Sequence, residues 1–174
     1  MNITLAWGTR VSPEFRDTVV SICKGFGWTP NHASWLMSCM AFESGETFSP
    51  SVRNAAGSGA VGLIQFMPET AADLRVDINV LASLTAEKQL AWVEAYFYPY
   101  ASRITTLSDM YMAILLPRYV GQPEESILFS GGVSYRENSG LDNNHDGMIT
   151  KAEATAKVQA KYDKGMTLIE TVEW

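Results

Sequence analysis

Two dipeptides, Ser12-Pro13 and Thr29-Pro30, constrain this chain more than any other feature. Each sets a hydroxyl residue able to cap a helix directly before a proline. The fixed φ of proline suits a first helical turn, and its missing N–H is not needed there. After Pro13, the apolar residues Phe15, Val19, Ile22 and Phe26 recur at three- and four-residue spacing, and Gly25 and Gly27 close the run. After Pro30 a second run reaches about Phe42–Glu43, where Gly45 stops it. The same grammar continues downstream. Pro68 opens a helix over Glu69–Leu74, and Thr85 caps one whose face is Leu90, Val93 and Phe97, ended by Pro99. Thr106 with Asp109 three residues on opens Met110–Leu116 before Pro117, and a last helix runs from about Thr150 to Lys164. Strand alternation is confined to Ile3–Trp7 and Val133–Tyr135 as brief candidates. Arg53–Gly62 and Val120–Leu141 read as loops, the second as the candidate mobile segment. The expected fold class is mostly α, in one domain over residues 1–174.

Composition narrows the partners. The chain has 13 Lys and Arg against 19 Asp and Glu, a net charge of −6, with no basic stripe to neutralise phosphates. No nucleic-acid partner is expected. Nothing approaches the length of an apolar membrane span, so no integral membrane segment is expected, and the protein is read as a monomer. The N-terminal Met1–Gly8 has neither a basic n-region nor a long apolar run, so synthesis in a cytoplasm without a signal peptide is expected. Cys23 and Cys39 lack metal-type spacing and read as small buried thiols. His32 and His145 are too few for a zinc site.

One carboxylate stands out. Leu36, Met40 and Glu43 share a stripe of the second helix, so Glu43 continues an apolar face at the helix end. Desolvation and the partial negative charge of a helix C-terminus both raise its pKa, toward the range in which a Glu can donate a proton near neutral pH. A solvated terminal Glu satisfies the helical pattern equally well. Downstream, Ser58-Gly59-Ala60-Val61-Gly62 can turn tightly and let a ligand approach backbone. Gln65 offers a donor and acceptors for hydroxyl and acetamido groups. Phe66 and Met67 are candidates for an apolar floor beneath sugar rings, with core packing as the alternative.

Together, Glu43-Ser44 and Gly62-Leu63-Ile64-Gln65 resemble the catalytic core of the soluble lytic transglycosylase family of the lysozyme superfamily. The variant Gly-Leu-Ile-Gln-Phe-Met-Pro looks like its phage-encoded members. The resemblance covers about Ser34 to Leu74 and, more loosely, Leu90–Phe97. It implies a lysozyme-like helical domain that binds peptidoglycan glycan strands. The implied reaction cleaves the β-1,4 bond between N-acetylmuramic acid and N-acetylglucosamine, with Glu43 as acid and then base and a 1,6-anhydro product. It would act as an endolysin or a virion-borne enzyme, in the periplasm or cell wall. The family's Ala-Tyr-Asn-Ala-Gly motif is absent; Asp109–Ala113 takes its place, with Tyr111 as the matching phenol and Tyr119 as its rival. A polar contact supplied in the family by Ser falls on Ala56, with Ser58 nearby. Glu46 and Glu69 are the only acids near the motif, and neither is placed by it. A hydrolytic muramidase on the same fold and a calcium-dependent wall-binding module without chemistry remain the alternatives.

A second signal lies at 142–153. Asp142, Asn144, Asp146 and Glu153 occupy positions 1, 3, 5 and 12 of the EF-hand loop pattern, with Gly147 at the sharp turn and the Met148 carbonyl at position 7. Ile149 is the apolar residue of position 8, and Thr150 stands at position 9. Calcium, a hard cation taking six or more oxygens, is the expected ligand, in a structural role. A solvated Asn/Asp loop capped by Thr150 and Glu153 is the alternative. Gly131, Gly132 and Gly140 argue against a regular entering helix, so only the exiting helix is expected. His145 is expected to face solvent.

Overall fold

In the computed structural model, which describes residues 1–174, the chain runs β1 (Asn2–Leu5), α1 (Pro13–Gly25), α2 (Pro30–Glu43), α3 (Pro68–Asp73), α4 (Ile78–Ser83), α5 (Ala86–Phe97) and α6 (Leu107–Leu115). It continues through β2 (Ile127–Ser130), α7 (Gly132–Asn138), β3 (Met148–Thr150), α8 (Lys151–Gly165) and β4 (Glu170–Glu173). The mostly helical expectation holds, and the helix starts follow the capping chemistry. The Ser12, Thr85, Thr106 and Thr150 side chains each accept from a first-turn backbone N–H. At Thr29 the third helical residue, His32, completes the cap: its Nδ1 accepts from the Thr29 N–H at 3.2 Å, and its Nε2 donates to the Ile104 carbonyl at 2.9 Å. The histidine is therefore spent on structure.

Helix α2 is the axis of the fold. Nine of its residues are buried, on every side of the helix, and α1, α6, α8 and β1 pack around it. A helix apolar all round belongs inside a protein rather than on its surface. One continuous core runs from Ile3 to Val172. No helix is long and apolar enough to cross a membrane. Cys23 and Cys39 are buried and free, and burial pushes both thiols up, Cys23 to about 12.

Three stretches differ from the reading of the sequence. Ile3–Trp7 does contain a strand, but its partner is β4 at the far end of the chain, with Ile3 opposite Val172 in antiparallel register. Val133–Tyr135 is helical rather than extended. The region 120–141 is not a plain loop: β2 pairs with β3, Phe129 opposite Ile149, and α7 opens on two glycines at positive φ, Gly131 just before it at 65° and Gly132, its first residue, at 72°. Those glycines make a corner before the helix instead of forbidding it. Helix α7 and the tight turn Ser139–Leu141 then lead into the 142–153 loop. Helix α4, short and capped by Asp77, has no counterpart in the sequence reading.

Candidate active site

The core helix α2 carries Glu43 outward to the rim. Gly45, at φ 61°, ends the helix, and the next turn is held by several bonds. The Glu46 N–H donates to the Ala41 carbonyl at 2.7 Å, and the Phe48 N–H donates to Ser44 Oγ at 3.0 Å. Ser44 is fully enclosed, so the Ser of the Glu-Ser pair shapes the turn instead of meeting solvent. Glu46 accepts from Lys161 and Lys164 on α8, each at 2.8 Å, which staples the same turn to the last helix. Hydrogen bonds from those two lysines hold the Glu46 carboxyl down at about 2.

Opposite in sequence, Gly62-Leu63-Ile64-Gln65 folds as a tight turn closed by paired bonds between Val61 and Phe66, at 3.0 and 2.9 Å. Its organiser is Gln89 on α5, wholly buried. Gln89 Oε1 accepts from the Leu63 N–H at 2.8 Å, and Nε2 donates to the carbonyls of Pro50 at 2.9 Å and Leu81 at 2.8 Å. Gly62 sits at φ 85° with the Gln89 amide pressed against the place a Cβ would take, so only glycine fits. Of the six non-glycine residues at positive φ, Glu46, Phe48 and Gln65 fall in these two segments, so backbone strain gathers around one place.

That place is a cleft of about 300 Å³ whose walls include Phe42, Glu43, Arg53, Asn54 and Gln65. Glu43 is the only carboxylate lining it. The side chain is half-buried, and desolvation pushes its pKa up to about 7. Glu43 therefore retains a substantial protonated fraction near neutral pH and sits where a ligand can reach it. Gln65 donates through Nε2 to the carbonyls of Val52 at 3.2 Å and Gly62 at 3.1 Å, so its position at the cleft wall is fixed. Larger cavities lie beside Ser108 and Glu124, and against Tyr96 and Tyr100, but neither is lined by Glu43.

The remaining candidates spread out around this centre. Tyr111 is buried beneath the cleft, edge-on to Phe42 with ring centroids 5.6 Å apart. Burial first, and then the Glu43 carboxylate, push its phenol well above the usual range, so the two groups are electrostatic neighbours. Tyr119, its rival, instead donates to the Ile127 carbonyl at 2.9 Å. Ser58 is exposed and accepts from the Ala60 N–H at 3.3 Å, shaping its own loop away from the cleft wall. Phe66 is core, 1% exposed, because the bonds between Val61 and Phe66 turn its ring inward. Met67 is exposed and joins Phe66 only in a small recess of about 40 Å³ with Tyr96.

Four residues around the site carried no functional signal in the sequence. Tyr96 on α5, its phenol pushed up first by burial and then by Tyr100 and Glu43, donates to the Ala113 carbonyl at 2.5 Å; it stands three residues from Val93 on the face already recognised. Gln89 stands on the same stripe as Val93 and Phe97, a polar residue continuing an apolar face as Glu43 does. Arg53 and Asn54 carried no local signal, since only the fold brings their loop to Glu43.

The 142–153 loop lies apart from the cleft. Its side chains fold inward on backbone donors: Asp142 accepts from the Asp146 and Gly147 N–H groups, Asn144 from Asp146, and Asp146 from Met148. Tyr135 on α7 donates to Asp142 at 2.7 Å. Glu153 spends Oε2 on its own helix cap, while Oε1 is buried with no partner. No group of three or more His, Cys, Asp or Glu side chains is gathered tightly enough to hold a metal ion. The donor set is all oxygen, the ligand type that calcium takes, and Glu153 Oε1 is a buried oxygen without a partner, but the carboxylates are not drawn together around one point. His145 is exposed.

Comparison with protein-family models, with curated proteins and with solved structures finds no match.

Proposed function

We propose that this protein cleaves the glycan strands of bacterial peptidoglycan as a lytic transglycosylase, with Glu43 as its one acid and base. The observation that carries this reading is a single carboxylate standing as the only acid of an open cleft, with burial raising its pKa to about 7. In the first step Glu43 gives its proton to the glycosidic oxygen as the bond from the muramic anomeric carbon to that oxygen breaks. The muramic C6 hydroxyl then bonds to the anomeric carbon, and its proton returns to the Glu43 carboxylate. The product carries a 1,6-anhydro ring, and the enzyme ends as it began, without consuming water. Gln65 lines the cleft beside Glu43 and serves the acetamido and hydroxyl groups of the sugars.

The lack of a second acid favours ring closure over hydrolysis. A hydrolytic glycosidase places another carboxylate across the scissile bond, either close as a nucleophile or farther away to hold a water. Glu46 is clamped by two lysines of α8, and Glu69 is exposed on α3; neither lines the cleft. The wider setting, a cell-wall enzyme of phage origin working as a monomer with a structural calcium ion in the 142–153 loop, belongs to the same proposal. If calcium binds, Asp142, Asn144, Asp146, Glu153 and the Met148 carbonyl are the residues to hold it, and it would tie α7 to α8.

Glu43→Gln tests the assignment. Loss of a general acid costs on the order of 10²–10⁴ in rate, so release of fragments from purified peptidoglycan should fall at least that far, with the helical circular dichroism unchanged. A Glu43→Gln protein that still clears peptidoglycan removes Glu43 from the mechanism.

A further inference from the structure

Arg53 is the one cationic side chain lining the Glu43 cleft. Its backbone is pinned by an antiparallel bridge to Val61, which itself bridges Phe66 in the Gly62–Gln65 turn. Its guanidinium Nη2 donates to Asn79 Oδ1 at 3.3 Å, and the Asn79 N–H is in turn fixed on the cap Asp77 at 2.7 Å. The ion pairs of the molecule join Lys151 to Asp109 and Lys161 and Lys164 to Glu46, so no carboxylate of the chain takes Arg53. A guanidinium has five N–H donors in a planar fork that matches a carboxylate. Arg53 is thus an exposed and oriented cation beside the acid of the cleft, in a protein whose net charge is −6.

We propose that Arg53 is a specificity residue that takes a carboxylate on the lactyl branch of muramic acid while Glu43 addresses the glycosidic bond. The proposal rests on the peptidoglycan reading of the Glu43 site and adds to it the branch that the cleft selects. Every second sugar of such a strand bears a lactyl ether. Its carboxyl group is free, or is joined to a peptide that carries carboxylates of its own. A strand built from N-acetylglucosamine alone has neither. An acidic protein meets such an anionic branch unfavourably unless a local cation answers it, and a fork already held by Asn79 does so with little further ordering.

The test measures equilibrium binding by calorimetry to Glu43→Gln protein, which leaves the ligand uncut, with and without Arg53→Ala. The ligands are peptide-bearing muramyl oligosaccharides, the same oligosaccharides freed of peptide by an amidase, and chitooligosaccharides of equal length. Loss of one charge-assisted contact predicts about tenfold weaker binding of the carboxylate-bearing ligands and no change for chitooligosaccharides. Loss on the peptide-bearing ligand alone assigns Arg53 to a peptide carboxylate, loss on the peptide-free ligand alone assigns it to the lactyl carboxylate, and loss on both shows that it takes whichever carboxylate the branch presents. Arg53→Lys keeps the charge without the fork and should fall between. Equal effects on all three ligands, or none on any, overturn the role of Arg53 and leave the Glu43 reading standing. Failure of the Glu43→Gln protein to bind any muramyl ligand overturns both.

Discussion

Glu43 owes its raised pKa to where α2 ends. A core helix brings the side chain to the rim, where it is dry enough to disfavour the anion and open enough to meet a ligand. The shift has a consequence for stability. Between its ordinary value of 4.5 and the native value of about 7, the unfolded chain has lost this proton while the native protein keeps it. The native state then binds more protons, so this contribution to stability is whole below pH 4.5 and is lost as pH rises through about 7. The slope is about 1.4 kcal/mol per pH unit for one proton. Glu43→Gln removes the titration. Its stability relative to the parent should rise by ~2–3 kcal/mol between pH 4.5 and 7.5, read from urea unfolding at a series of pH values. A difference independent of pH contradicts a buried, protonated Glu43. Gln89 makes the complementary case at residue scale. Its amide satisfies the Leu63 N–H and the Pro50 and Leu81 carbonyls. Gln89→Ala leaves these groups unpaired and should cost about 3 kcal/mol in denaturant unfolding, with loss of the Gly62 turn. An unchanged midpoint would show that the turn stands without it.

At the scale of elements, the loop 142–153 is held through its second half. Strand β3, at loop positions 7 to 9, pairs with β2 of the same chain. Lys151, at loop position 10, is buried and donates to Asp109 on α6 at 2.6 Å and to the Gln122 carbonyl at 2.8 Å. Burial disfavours the Asp109 charge, yet hydrogen bonds from Lys151, Gly121 and Thr105 hold its carboxyl below the ordinary range. That part of the stability is lost only as pH falls below the usual Asp range. Calcium at this loop should raise Tm, and chelation or Glu153→Ala should lower it, without changing the protonation of Glu43. A melting curve indifferent to calcium, chelator and Glu153→Ala would dismiss the metal. The long helices were legible in the sequence, since caps and apolar spacing are local. Helix α7 was not. Gly131 and Gly132 read as helix breakers, and only the pairing of β2 with β3 shows that they turn a corner instead.

At the scale of the whole molecule, the unread parts are those that distance in sequence hides. Strand β1 meets β4 across nearly the full chain, so neither carries a pattern that names its partner. Glu43 and Gln65 could be paired by motif, whereas Arg53 reaches the cleft through a bridge to Val61 that no periodicity announces. Phe66, proposed as floor, went to the core because the turn that positions Gln65 rotates its neighbour inward. The fold therefore assembles one acid, one cation and two amides around a cleft, on a scaffold of a central helix, a strained turn and a stapled last helix. Whether the proposed single acid closes a ring or admits water is read from the mass spectrum of the fragments released from purified peptidoglycan. Ring closure gives muramic ends lighter by one water than reducing sugars, the signature of the 1,6-anhydro ring. Reducing muramic ends would contradict it, and would mean that a second carboxylate or a water outside this cleft takes part.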